Sequence, residues 1–191
     1  MNFRDIIKQR RTIRKFKQTP IDKEILKELV DCARLAPCAS NKQPLEFIVV
    51  DEKEICDKIF ENTGWAGYIA PKGTPKEGER PTAYIVILVN KSRATKWIGH
   101  DVGAAFENIV LAGWELGIGS CIIGSVKKDN VKKILNVPDD YEVDTIVALG
   151  YKGHDSTVVD NDETVKYYMD EKGDFHVPKR PLEKVIHFDR F

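Results

Sequence analysis

The chain lacks an excess of charge of either sign. Thirty Lys and Arg stand against thirty Asp and Glu, so the formal net charge is zero. Nucleic-acid-binding domains usually carry a basic surplus, and proteins held on anionic lipid carry a polybasic stretch, so neither partner is expected. Long apolar runs are also missing. The longest clean one, Tyr84-Ile85-Val86-Ile87-Leu88-Val89, is far short of a membrane span and reads as a buried strand. The apolar region from Val102 to Gly124 is broken by Glu107, Asn108 and Glu115. Residues Met1 to Phe16 are charged throughout and contain no secretory apolar core. Cysteine is sparse: Cys32, Cys38, Cys56 and Cys121 form no CxxC. His100, His154, His176 and His187 form no HExxH, so no metal site is expected. The thiols read as free, mostly buried side chains of a reducing cytoplasm. There is no internal repeat, no low-complexity tract and no dinucleotide-binding GxGxxG after a strand.

What is present fits one globular domain. The 191 residues are 42% apolar, ample for a real core, and residues 1–191 are taken as a single unit. Helical periodicity is expected over Phe3 to Gln9 and Lys23 to Ala36, the second opened by Pro20 and Asp22 and stopped by Pro37. Shorter helices are expected over Ile55 to Glu61 and Lys127 to Leu135. Strands are expected over Glu46 to Val50, Ala83 to Asn90, Ser120 to Ile123 and Glu142 to Leu149. The stretch Asp101 to Leu116 is apolar on nearly all sides, which suits a helix buried in a core or between subunits. Residues Asn62 to Pro81 form a long excursion, and Tyr151 to Asp174 read as polar and irregular. Helices packed on a small sheet give an α+β sandwich.

Three segments could carry chemistry. In Arg10-Arg11-Thr12-Ile13-Arg14, guanidinium forks and a hydroxyl could cradle a phosphate, although an isolated RRxxR is more often a solvated basic face. In Pro37-Cys38-Ala39-Ser40-Asn41-Lys42-Gln43-Pro44, amide side chains could read the edge of a planar heterocycle, or simply form a polar turn. In Leu116-Gly117-Ile118-Gly119-Ser120-Cys121-Ile122-Ile123-Gly124, glycines turn a helix into a strand. They would also let a flat ligand approach the backbone.

The three together, in this order, resemble the FMN-dependent nitroreductase family in its compact form. The resemblance extends to Ala148-Leu149-Gly150-Tyr151 and to Lys179-Arg180-Pro181-Leu182-Glu183. It implies a nitroreductase-like sandwich with a central, mostly antiparallel sheet, built as an intertwined homodimer with FMN at the subunit interface. By resemblance, Arg10, Arg11, Thr12 and Arg180 hold the FMN phosphate, and Arg14 faces the pyrimidine end of the flavin. A fixed cation there favours the anionic reduced flavin. Pro37, Cys38, Ser40, Asn41 and Gln43 belong to a loop that reaches the other subunit's flavin. Cys38 departs from the family's usual serine, and a thiol replaces a hydroxyl donor poorly. Ile123 and Gly124 match the segment near flavin N5. The excursion over residues 62–81 would cover the flavin, with Trp65 and Tyr68 stacking on substrate or anchoring the loop. Residues 151–191 form a C-terminal extension.

The implied activity is ping-pong reduction of nitroaromatics, quinones or similar small electrophiles by NADH or NADPH, with no side chain named as catalytic acid or base. Rival readings are dehalogenation, flavin fragmentation or enone reduction on the same scaffold. A non-enzymatic FMN-binding or redox-sensing module is a further rival. So is a flavin-free protein whose basic cluster binds a phosphorylated partner.

Overall fold

The computed structural model describes residues 2–191. Helix α1 (Phe3–Gln9) starts where the Asn2 side chain accepts the Asp5 N–H at 3.0 Å. Strand β1 (Phe16–Lys17) follows, then α2 (Lys23–Arg34), whose first turn is capped by Asp22 accepting from the Glu24 N–H at 2.8 Å. The remaining elements are β2 (Leu45–Val50), α3 (Lys53–Phe60), β3 (Ala83–Asn90), α4 (Ile98–Glu115) and β4 (Ile118–Ile123). After them come α5 (Lys128–Ile134) and β5 (Tyr141–Lys152).

These strands make one sheet in which every pairing is antiparallel. Strand β5 lies between β3 and β4, β2 flanks β3, and β1 pairs with the C-terminal end of β5. The register shifts between Ile87, opposite Thr145, and Leu88, opposite Val143, so one extra residue bulges from β5.

Strand β3 shows why the sheet is central. Successive side chains point to opposite faces, and both faces are covered. Tyr84, Val86 and Leu88 join a cluster with Cys56 and Ile59 of α3 and Val131 of α5. Ala83, Ile85, Ile87 and Val89 join Leu26 and Leu29 of α2 and Val102, Ala105 and Ile109 of α4. The continuous apolar run in the sequence is therefore a strand with two dry faces. The architecture is the expected α+β sandwich, with helical layers on both sides of an antiparallel sheet.

Helix α4 is not buried on every side within one chain. Val102, Ala105, Ile109, Val110 and Gly113 are buried, while Phe106, Leu111 and Trp114 keep part of their surface.

The irregular segment expected over 151–174 is corrected by the structure. Strand β5 continues to Lys152, and β6 (Ser156–Asp160), β7 (Tyr168–Met169) and β8 (Phe175–Lys179) form a second, three-stranded sheet. Strand β6 is parallel to β8, pairing Ser156 with Phe175, and β7 is antiparallel to β8. Its strands are short and acid-flanked, so they carry little local signal. The fully buried Phe175 and the Asp155 N–H, donated to Asp174 Oδ1 at 2.8 Å, hold the sheet together.

The excursion over residues 62–81 is tied at its start. Gly64 N–H donates to Ser125 O at 2.8 Å, and Lys127 N–H donates to Asn62 O at 2.9 Å. The residues after β4 are thereby fixed beside the excursion.

Candidate functional site

The arginine motif begins as α1 ends. Arg10 N–H closes the helix on Ile6 O at 2.8 Å, and its Nε lies 3.8 Å from Glu107 of α4. Arg11 is half-buried and donates to the carbonyls of Lys8 and Arg10. Burial, followed by the charge of Arg10, lowers the Arg11 pKa from its ordinary value. A guanidinium disfavoured in this way would gain from an anion. Thr12 bridges to Ser120 of β4, and Ile13 N–H donates to Ser120 O at 2.8 Å. The arginine motif and the glycine-bearing strand are therefore one surface.

Arg14 occupies a more specialised place. Its guanidinium carbon lies 4.5 Å from the Tyr167 ring centre and 5.2 Å from that of Phe175. Packing against these rings excludes water and favours the cation electrostatically. Its Nη1 is nevertheless buried and has no hydrogen-bond partner. A buried charged donor without an acceptor is costly, so this atom calls for an acceptor from outside the chain.

The amide loop sits elsewhere. Ser40, Asn41 and Gln43 have φ of 51°, 49° and 48°, the left-handed region that non-glycine residues rarely occupy. Such strain persists only where surrounding bonds fix it. Here the fixing group is Asp101, a buried carboxylate in the first turn of α4. Its Oδ1 accepts the Ala39 N–H at 2.8 Å, and its Oδ2 lies 3.6 Å from Cys38 Sγ. Cys38 Sγ in turn accepts the Gln43 N–H at 3.1 Å. The thiol is engaged in the loop's own bonding. Pro37, Cys38, Asn41, Gln43 and Asp101 line a cleft of about 330 Å³. Arg10 and Arg14 do not line this cleft.

Ile123 is buried at the end of β4, and a Cβ placed on Gly124 would meet nothing within 4 Å. The backbone there faces open space that a flat ligand could use. Trp65 is buried with its ring centre 5.6 Å from that of Phe60, and its indole N–H donates to Thr63 Oγ1 at 2.9 Å, contacts that anchor the excursion. Tyr68 is exposed and packs on Tyr167 with ring centres 5.0 Å apart. Arg180 is exposed, with its Nε 3.0 Å from Asp162 Oδ1 and its Nη2 donating to Lys184 O at 3.0 Å. Its bonds are within the extension and do not reach Arg10 or Arg11.

Asp101, His154 and Tyr167 were not singled out from the sequence. Asp101 had a signal, an acid opening an apolar helix. Tyr167 and His154 had none, because only the folded extension carries them to Arg14.

The donor set fits FMN. It offers a buried, unpaired guanidinium nitrogen, two further arginines in the same segment, and an open backbone position just after the adjoining strand. The family model described as the nitroreductase family matches residues 7–151. The chain belongs to the nitroreductase family. It is an enzyme of nitroreductase type. It is 32% identical over 154 residues to an Archaeoglobus fulgidus protein provisionally named NADH dehydrogenase/NAD(P)H nitroreductase, spanning 76% of this chain and 83% of that one. It is 26% identical to an iodotyrosine deiodinase of Thermotoga neapolitana over 77% of this chain and 87% of that one. Among solved structures, an FMN-dependent nitroreductase of Clostridium difficile superposes with TM-score 0.69 at 30% identity, covering 97% and 98% of the two chains. The family match ends just before the second sheet, so His154, Tyr167 and Phe175 lie outside the matched region.

Proposed function

We propose that the chain is an FMN-dependent oxidoreductase that reduces nitroaromatics, quinones or similar small electrophiles with NAD(P)H by ping-pong exchange. It would work in the cytoplasm as a homodimer with FMN at the subunit interface. The observation that carries this reading is the buried, unpartnered Arg14 Nη1 on the surface shared by the arginine motif and β4. FMN, when bound, supplies the hydride chemistry that the side chains themselves do not offer.

Arg10 and Arg11 would neutralise the phosphate, with the Thr12 hydroxyl as a further donor and Arg180 as a more distant cation. Arg14 would hold the pyrimidine edge. Ile123 and Gly124 would lie along the isoalloxazine. Pro37, Cys38, Ser40, Asn41 and Gln43 would read the flavin of the partner chain, which suits a loop held by Asp101 beside a cleft that Arg14 does not line. Tyr68, steadied by Tyr167, would meet the substrate. The free thiols, two buried and two half-buried, suit a reducing compartment.

The similarity to an iodotyrosine deiodinase favours one second reading, reductive dehalogenation on the same scaffold. The test is an absorbance spectrum of purified protein, then NADH and NADPH oxidation with nitrofurazone, menadione and a halophenol. A flavin spectrum with turnover of the first two acceptors is expected. Turnover of the halophenol alone would favour the second reading. A flavin without turnover would leave only a binding module.

A further inference from the structure

The segment from Ile13 to Phe16 is held almost entirely by backbone bonds. Ile13 N–H donates to Ser120 O and Phe16 N–H to Glu79 O, both at 2.8 Å, while Lys15 O accepts the Gly153 N–H at 2.9 Å. Arg14 differs. Its N–H donates at 2.8 Å to a side chain, Nε2 of His154, 140 residues further on. The imidazole is buried and rests on the Phe175 ring with centres 4.6 Å apart. Its Nδ1 lies 2.7 Å from the carbonyl of Asp155. That carbonyl can only accept, so Nδ1 carries the proton and Nε2 is left with a free lone pair.

From this geometry we infer that His154 is a positioning residue for Arg14: it fixes the backbone from which the guanidinium reaches the flavin's pyrimidine edge. The inference rests on the flavin site proposed above. Phe175 links the two groups, since it touches both the imidazole and the guanidinium. The charges around the ring agree with a neutral acceptor. Burial is the main cause of a lowered His154 pKa. Lys15 and Arg14 lower it further, while the Asp155 carbonyl and Asp174 oppose them. The second sheet would thus complete the cofactor site from outside the region matched by the family.

The test is a double-mutant cycle read by FMN affinity, using quenching of flavin fluorescence. His154→Leu removes the acceptor, and His154→Gln places an amide oxygen where Nε2 stood. His154→Asn reaches only as far as Nδ1. The variants are made with Arg14 intact and on Arg14→Ala. With Arg14 intact, His154→Leu and His154→Asn should weaken FMN binding about tenfold, and His154→Gln about threefold or less. On Arg14→Ala, none should weaken it further, because no guanidinium remains to be aimed. Melting temperatures without FMN identify variants that fail to fold. If His154→Leu does so, the Gln and Asn pair decides. Equal losses in both Arg14 backgrounds, or no difference between Gln and Asn, would overturn the inference. Absence of FMN binding by the wild type would instead overturn the flavin reading.

Discussion

Asp101 holds a carboxylate among the buried, otherwise apolar positions of α4, and it accepts the Ala39 N–H. Truncation to alanine would strand that N–H beside a left-handed loop. An unsatisfied buried donor costs roughly 1–3 kcal/mol. Asp101→Ala should therefore lower stability in urea by about 2 kcal/mol and weaken FMN binding with it, while Asp101→Asn, which keeps an acceptor, should lose less of both. At this scale the sequence was partly informative. Arg10, Arg11, Thr12 and Arg14 fall within five successive residues, so a local motif sufficed to nominate them. Trp65 could not be placed without its neighbours, since an indole serves equally as loop anchor or ring platform until Phe60 and Thr63 are seen beside it. His154 acts across 140 residues, and no local pattern announces such a bond.

Glycines let the arginine segment lie close to the sheet. A Cβ on Gly119 would come within 2.8 Å of Ile13 Cγ1, and one on Gly150 within 2.8 Å of Phe16 Cδ1. Both neighbours are fully or almost fully buried and have little room to yield. Gly119→Ala should cost about 1–3 kcal/mol through overpacking, measured by denaturant unfolding. It should also weaken FMN binding, because Ile13 lies between Thr12 and Arg14. Strands β2 to β5 of the main sheet were legible because their apolar runs are bounded by glycine, proline or polar residues, whereas the two-residue β1 had no such signal. The second sheet was not legible either. Its strands depend on a parallel partner 19 residues away, as from Thr157 to His176, and on burial of Phe175. Non-local pairing of that kind overrides weak local propensity.

The whole molecule leaves apolar surface uncovered. Phe106, Leu111 and Trp114 of α4 are only partly buried, and Leu182, Val185, Ile186, Phe188 and Phe191 are exposed along the C-terminal tail. Together with an amide-loop cleft that Arg10 and Arg14 do not line, this supports a working unit of two copies. Sedimentation velocity should give twice the chain mass, and removal of residues 181–191 should shift the protein toward monomer and weaken FMN binding together. The central claim, however, is that Arg14 and its neighbours form a flavin site, and one titration tests it most directly. Apoprotein of wild type and of Arg14→Ala is titrated with FMN, and flavin fluorescence is followed. The account predicts saturable quenching by the wild type and at least tenfold weaker binding by the variant, because the flavin acceptor would lose its charged donor. Equal affinities of the two proteins, or no saturable binding by the wild type, would contradict it.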